Sequence, residues 1–63
     1  GLLDGLDPAA SVVLDAMPAR ASATTEAITR SSGLSSKETT AALGVLELMG
    51  KAERTSAGWR RRR

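Results

Sequence analysis

Cysteine and histidine are both absent from this chain of 63 residues. Without them there is no disulfide staple, no thiolate or imidazole metal site and no Cys/His nucleophile–base pair. The lack of cysteine is compatible with a reducing, cytoplasmic compartment. Aromatic residues are almost missing too, with Trp59 standing alone. No apolar run approaches the roughly 18–20 residues that span a bilayer. Gly1-Leu2-Leu3 has neither the basic flank nor the apolar stretch of a secretory signal, and without an initiator Met it reads as the edge of a larger protein. A chain this short forms one domain at most, and a domain of this size buries only about 60% of its unfolded surface. The core must therefore be small.

The net charge of +2 conceals a split. Residues 1–53 hold seven acidic and four basic residues, a net −3, whereas residues 54–63 hold five arginines, a net +5. Attraction to phosphate must come mainly from the C-terminal end.

Asp7-Pro8 is a helix start, because aspartate caps and a proline in the first turn loses only an N–H that would have no partner. Ala9, Val12, Val13, Ala16 and Met17 then recur at helical spacing as an inward face, and Pro18 ends a first helix of about residues 8–17. Residues 19–23 read as connecting chain or a brief strand. A second helix follows over about 24–31, with Glu26 near its start, Ala27 and Ile28 facing inward and Ser31 a third inward candidate.

Gly33-Leu34-Ser35 forms a tight turn into the third helix, predicted for about 36–49. Gly33 can take a positive φ, and Ser35-x-x-Glu38 fits a capping box. Ala42, Leu43, Leu46 and Met49 recur as its inward face, with Thr39 leading in, and Gly50 stops it. Gly44, inside this helix, costs about 1 kcal/mol relative to alanine, for which a close backbone neighbour is one reason. After Gly50 the pattern turns to strand, turn and strand over about 51–61, with Gly58 at the turn. Trp59 is expected to lay its ring over the edge of the core, and stacking on a base is the alternative. Three helices and a hairpin make a mostly α winged helix-turn-helix, with residues 1–6 as a linker remnant and 7–63 as the domain.

The residues carry a family resemblance. Leu6-Asp7-Pro8, Val13-Leu14-Asp15-Ala16-Met17-Pro18 and Thr25-Glu26-Ala27-Ile28 form one half of it. Gly33-Leu34-Ser35, Ala41-Ala42-Leu43, Leu46-Glu47-Leu48-Met49-Gly50 and Gly58-Trp59-Arg60 form the other. Together they resemble the C-terminal winged-helix domain of DprA/Smf, the DNA-processing protein of natural transformation, over nearly the whole chain. Ala23 stands where that family has a capping Ser or Thr, so Thr24 is expected to cap the second helix instead. Lys51 and Ala52 replace two apolar strand residues, which should weaken the packing of the wing, and Trp59 replaces a tyrosine. The resemblance implies a module that follows a Rossmann-like domain, in a protein that binds DNA and helps to load RecA-type recombinase.

No glycine-rich phosphate loop or nucleophile elbow is present, so neither catalysis nor a cofactor is expected. Two clusters remain as DNA-binding candidates. Ser35, Ser36, Lys37 and Thr40 lie at the start of the third helix, where its free N–H groups favour a phosphate. Arg54, Arg60, Arg61, Arg62 and Arg63 form the second cluster, with Arg54 and Arg60 on the hairpin and the others trailing from it. The third helix has no Arg, Asn or Gln for bidentate contact with a base, so sequence-independent binding to duplex or junction DNA is expected. The alternative is a protein-interaction module, using Ala41, Gly44, Val45 and Leu48 to dock on its own Rossmann-like domain, a second protomer or a recombination partner.

Overall fold

Asp7 caps the first helix by accepting from the Ala10 amide at 2.9 Å, with Pro8 in the first turn. In a computed structural model that describes residues 7–62, α1 spans Pro8–Ala16, α2 Thr25–Ser32 and α3 Ser36–Leu48. An antiparallel hairpin of β1 (Ala52–Thr55) and β2 (Gly58–Arg61) completes the winged helix. The proposed linker remnant, residues 1–6, lies outside the described residues.

Thr24 caps α2, its hydroxyl accepting from the Ala27 amide at 3.1 Å. Gly33 ends that helix at φ 75°, and Gly33-Leu34-Ser35 alone separates it from α3. The capping box forms in full: the Glu38 amide donates to Ser35 Oγ at 3.1 Å, and the Ser35 amide donates to Glu38 Oε1 at 3.0 Å. At the far end Gly50 takes φ 74°, with its N–H donating to the Glu47 carbonyl and that of Lys51 to the Leu46 carbonyl. That pair of bonds is a Schellman motif, which uses up carbonyls the helix would otherwise leave open.

The buried core consists of Ala10, Val13 and Met17 of the α1 region, Ile28 of α2, Ala42, Leu43 and Leu46 of α3, and Ala52 and Trp59 of the hairpin. Three expectations about it need correction. The inward stripe of α1 runs through Ala10, Val13 and Met17, while Val12 is 41% exposed. The helix is apolar around more than half its girth, and only one stripe can meet α3. In α2 Ile28 is the buried residue, Ala27 is half-buried and Ser31 faces solvent. Met49 is 44% exposed: it is the cap residue that follows the last residue of α3, Leu48. The expected covering role of Trp59 is found: the side chain is 7% exposed, and Ala52 packs in the same cluster.

The brief strand at 19–23 reduces to one residue with large consequences. Ala23 N–H donates to the Trp59 carbonyl and Trp59 N–H to the Ala23 carbonyl, both at 2.8 Å. Strand β2 thus lies between Ala23 on one side and β1 on the other, and the hairpin is fastened to the body. Close to this bridge the Ser22 and Thr55 hydroxyls share a 2.7 Å hydrogen bond. Gly58 lies in β2 after the Ser56-Ala57 turn, not in the turn itself, and has φ 130°. A Cβ there would collide with the Ala23 carbonyl group and come within 2.7 Å of its carbon. Gly44, by contrast, has no neighbour within 4 Å of a would-be Cβ, so close backbone packing does not explain it.

The two glycines should respond oppositely to alanine. Gly58→Ala should destabilise by more than about 1 kcal/mol through its φ and the collision with the bridge. Gly44→Ala should stabilise by up to about 1 kcal/mol. Each kcal/mol moves Tm by about 4–8 °C in a domain of this size. Thermal unfolding followed by circular dichroism checks both, and a Gly58→Ala Tm equal to wild type would contradict the account of the bridge.

Thr39 supplies a separate test. Its side chain is fully buried and its Oγ1 lacks a hydrogen-bond partner. Thr39→Val keeps the shape, removes the unsatisfied hydroxyl and should raise stability by about 1 kcal/mol in the same measurement.

Candidate nucleic-acid interface

Strand alternation sorts the hairpin side chains onto two faces, and cross-strand partners share a face. Arg54 lies opposite Trp59 and Arg61 opposite Ala52, so these four share the core-facing side. Glu53 lies opposite Arg60 on the other side.

The arginines of the predicted cluster therefore have different surroundings: Arg60, Arg61 and Arg62 line one groove and Arg54 another. Arg54 places its guanidinium carbon 4.9 Å from the centre of the Trp59 ring, a cation–π contact. Arg60 Nε donates to Glu53 Oε2 at 2.6 Å. Arg61 does not trail from the wing, in keeping with the predicted hairpin bounds of 51–61. It belongs to β2, is half-buried, and has a buried Nε without a hydrogen-bond partner. Arg62 is held as well, since its N–H donates to the Lys51 carbonyl at 3.0 Å. These residues follow the register of a strand that is already pinned at Trp59, which is why they do not behave as a free tail. Arg63 lies outside the described residues.

One cation outside both sequence-based clusters belongs with them. The chain leaving Pro18 runs antiparallel to β2 from the Ala23–Trp59 bridge, which brings Ala19 and Arg20 beside the end of that strand. Arg20 lines a groove of about 390 Å³ together with Arg60, Arg61 and Arg62, and Glu53 is the acidic residue among its lining. Following the brief strand at 19–23 as a pairing partner of the hairpin would have found Arg20, since antiparallel register fixes what faces what.

The start of α3 lies elsewhere. Ser35, Ser36, Lys37 and Thr40 are all exposed there. Ser35 is committed to the capping box, and so is the Glu38 carboxylate. The Ser35 amide, and secondarily its hydroxyl, hold the Glu38 carboxyl below the ordinary glutamate pKa, with burial opposing only weakly. At neutral pH a negative charge therefore remains where a phosphate would approach. Beyond the first turn the outward face of α3 carries Ala41, Gly44, Val45 and Leu48, and Leu48 is 90% exposed. That face has nothing with which to read a base edge.

A family model for the DprA winged helix domain matches residues 2–58. The chain belongs to that family. No curated protein and no solved structure gives a significant match. The matched region of the DprA winged helix domain takes in all three helices, β1 and the start of β2, including Arg20, Glu53 and Arg54. It stops at Gly58, so Arg60, Arg61 and Arg62 lie beyond it. Among the described residues no helix is long and apolar enough to cross a membrane.

The capping box makes a pH prediction. A carboxyl with a depressed folded pKa contributes stability that is present above the unfolded value and is lost as pH falls through the folded one. The Glu38 carboxyl resonance should titrate below the ordinary glutamate value in wild type and shift upward in Ser35→Ala. Identical midpoints in a carbon-detected NMR titration would contradict the part assigned to the Ser35 hydroxyl, since alanine keeps the amide.

Proposed function

We propose that this DprA winged helix domain binds duplex or junction DNA weakly and without sequence preference, in DNA uptake and recombination. The observation that carries this reading is the pinned hairpin, which holds Arg54, Arg60 and Arg61 on its strands and Arg62 just beyond them, on a chain whose residues 1–53 are net negative. Guanidinium forks match phosphate oxygens, and such contacts position a protein on DNA without reading its sequence. The exposed start of α3 (Ser36, Lys37 and Thr40) sets orientation on the backbone, with Lys37 as its cation. Membership in a DNA-processing family supports the same partner.

One observation favours a second reading. The apolar outward face of α3, with Leu48 almost fully exposed, suits contact with protein better than contact with phosphate. The candidates are the family's Rossmann-like domain, a second protomer and a RecA-type recombinase. In this reading α3 docks on the partner and the hairpin arginines remain solvated.

Titration with duplex DNA at low salt separates the two. Amide shifts that include residues 35–41 and 54–62 support DNA binding, whereas the absence of shifts favours protein docking. Replacing Arg60, Arg61, Arg62 and Arg63 together by glutamine should flatten the salt dependence of binding by about 0.9 in log–log slope for each phosphate no longer neutralised. Unchanged affinity and slope would overturn the assignment.

A further inference from the structure

We propose that Arg20 and the end of β2 form a phosphate-binding groove in which Glu53 holds the place of a backbone phosphate. The proposal rests on the DNA-binding reading above and adds a second place for the backbone beside the start of α3: between the α1–α2 connection and the hairpin.

Four arginines, Arg20, Arg60, Arg61 and Arg62, and one glutamate, Glu53, are among the residues that line this groove. The carboxylate is engaged with one of the four, Arg60, through a 2.6 Å bond. A carboxylate and a phosphodiester both present two oxygens that accept from an arginine fork, so Glu53 occupies Arg60 in the way the ligand would. Among the described residues, Glu53 is the one carboxylate that lines the groove with these four arginines. Arg61 Nε is buried without a partner, and an anion settling on this residue would compensate a charge that is already partly desolvated.

The groove is held open by the backbone. The Ala23–Trp59 bridge fixes how the connection carrying Arg20 runs beside β2, and the Arg62 N–H bond to the Lys51 carbonyl continues the hairpin past Arg61. Arginines from two separate segments therefore border one space before any ligand arrives. The Glu53–Arg60 pair is solvent-exposed on both sides, with 36% and 53% of the two side chains accessible, so exchanging one anion for another is easy. An arriving phosphate takes Arg60, and Glu53 turns to solvent. Glu53 thereby sets a threshold that weak anions do not pass and a polyanion does.

The test is binding of the 63-residue chain to a short duplex at low salt, with charge-matched controls outside the groove. Arg20→Gln should weaken binding several-fold and lower the log–log salt slope by about one. Arg30→Gln removes the same charge from the end of α2 and should do less. Glu53→Gln should tighten binding by more than Glu47→Gln, which removes the same charge from α3. That excess should disappear in an Arg60→Gln background, because the competition is for Arg60. All of these side chains are at least partly exposed, and unchanged Tm values confirm folding. If Arg20→Gln and Glu53→Gln merely match their controls, the groove is overturned while DNA binding through the remaining arginines stands. If the excess gain persists without Arg60, the place-holding role is overturned. If wild type binds no duplex at low salt, both readings fall.

Discussion

The two hydrogen bonds between Ala23 and Trp59 decide how the rest of this domain is arranged. An isolated two-stranded hairpin is marginal in water, and this one has only four residues per strand. The bridge gives β2 a neighbour on its second edge. It also sets the depth at which Trp59, the chain's single aromatic side chain, enters the core. Gly58 permits that approach, because any side chain at this point would meet the Ala23 carbonyl. The core, the wing and the placement of Arg20 therefore share one backbone contact.

With so few apolar side chains available, local devices carry much of the task of ending and orienting helices. Asp7, Thr24 and Ser35 each satisfy an amide at a helix start, and Gly33 and Gly50 terminate α2 and α3 in left-handed turns. These devices have a functional cost on α3. The same capping box that starts the helix cleanly fixes Glu38 at its N-terminus, where the helix dipole would otherwise favour an incoming phosphate. In this position the second helix of a helix-turn-helix pair is better built as a structural strut than as a reader of bases.

These same local devices could be read directly from the sequence, because a cap, a turn glycine or an apolar stripe is written in residues three or four apart. Helix bounds came out within a residue or so for that reason, and so did the capping role of Thr24. What could not be read depended on partners distant in the chain. The choice of Ala10 over Val12 as a core residue depends on how α1 rolls against α3. The half-burial of Arg61 and the placing of Arg20 depend on strand register, and the sequence near residue 23 holds only a weak strand signal. Gly44 shows the limit from the other side: the sequence marks it as unusual, and its surroundings supply no packing reason for it.

The charge arithmetic also changes once partners are known. A C-terminal segment of net +5 suggests a strong polycation. In the fold Arg54 is stacked on Trp59 and Arg60 is paired with Glu53. Arg61 is partly withdrawn from solvent, and Arg20 joins from a distant part of the chain. In the proposed groove, Arg20, Arg60, Arg61 and Arg62 border one space instead of being spread along a tail. Such a grouping favours a rigid polyanion, which can present several phosphates at fixed spacing, over small mobile anions that must each displace Glu53 alone. Within the proposed function, weak binding without sequence preference follows from this arrangement: few phosphates engaged, one of them in competition with the domain's own carboxylate, and no Arg, Asn or Gln on α3 for bidentate contact with a base.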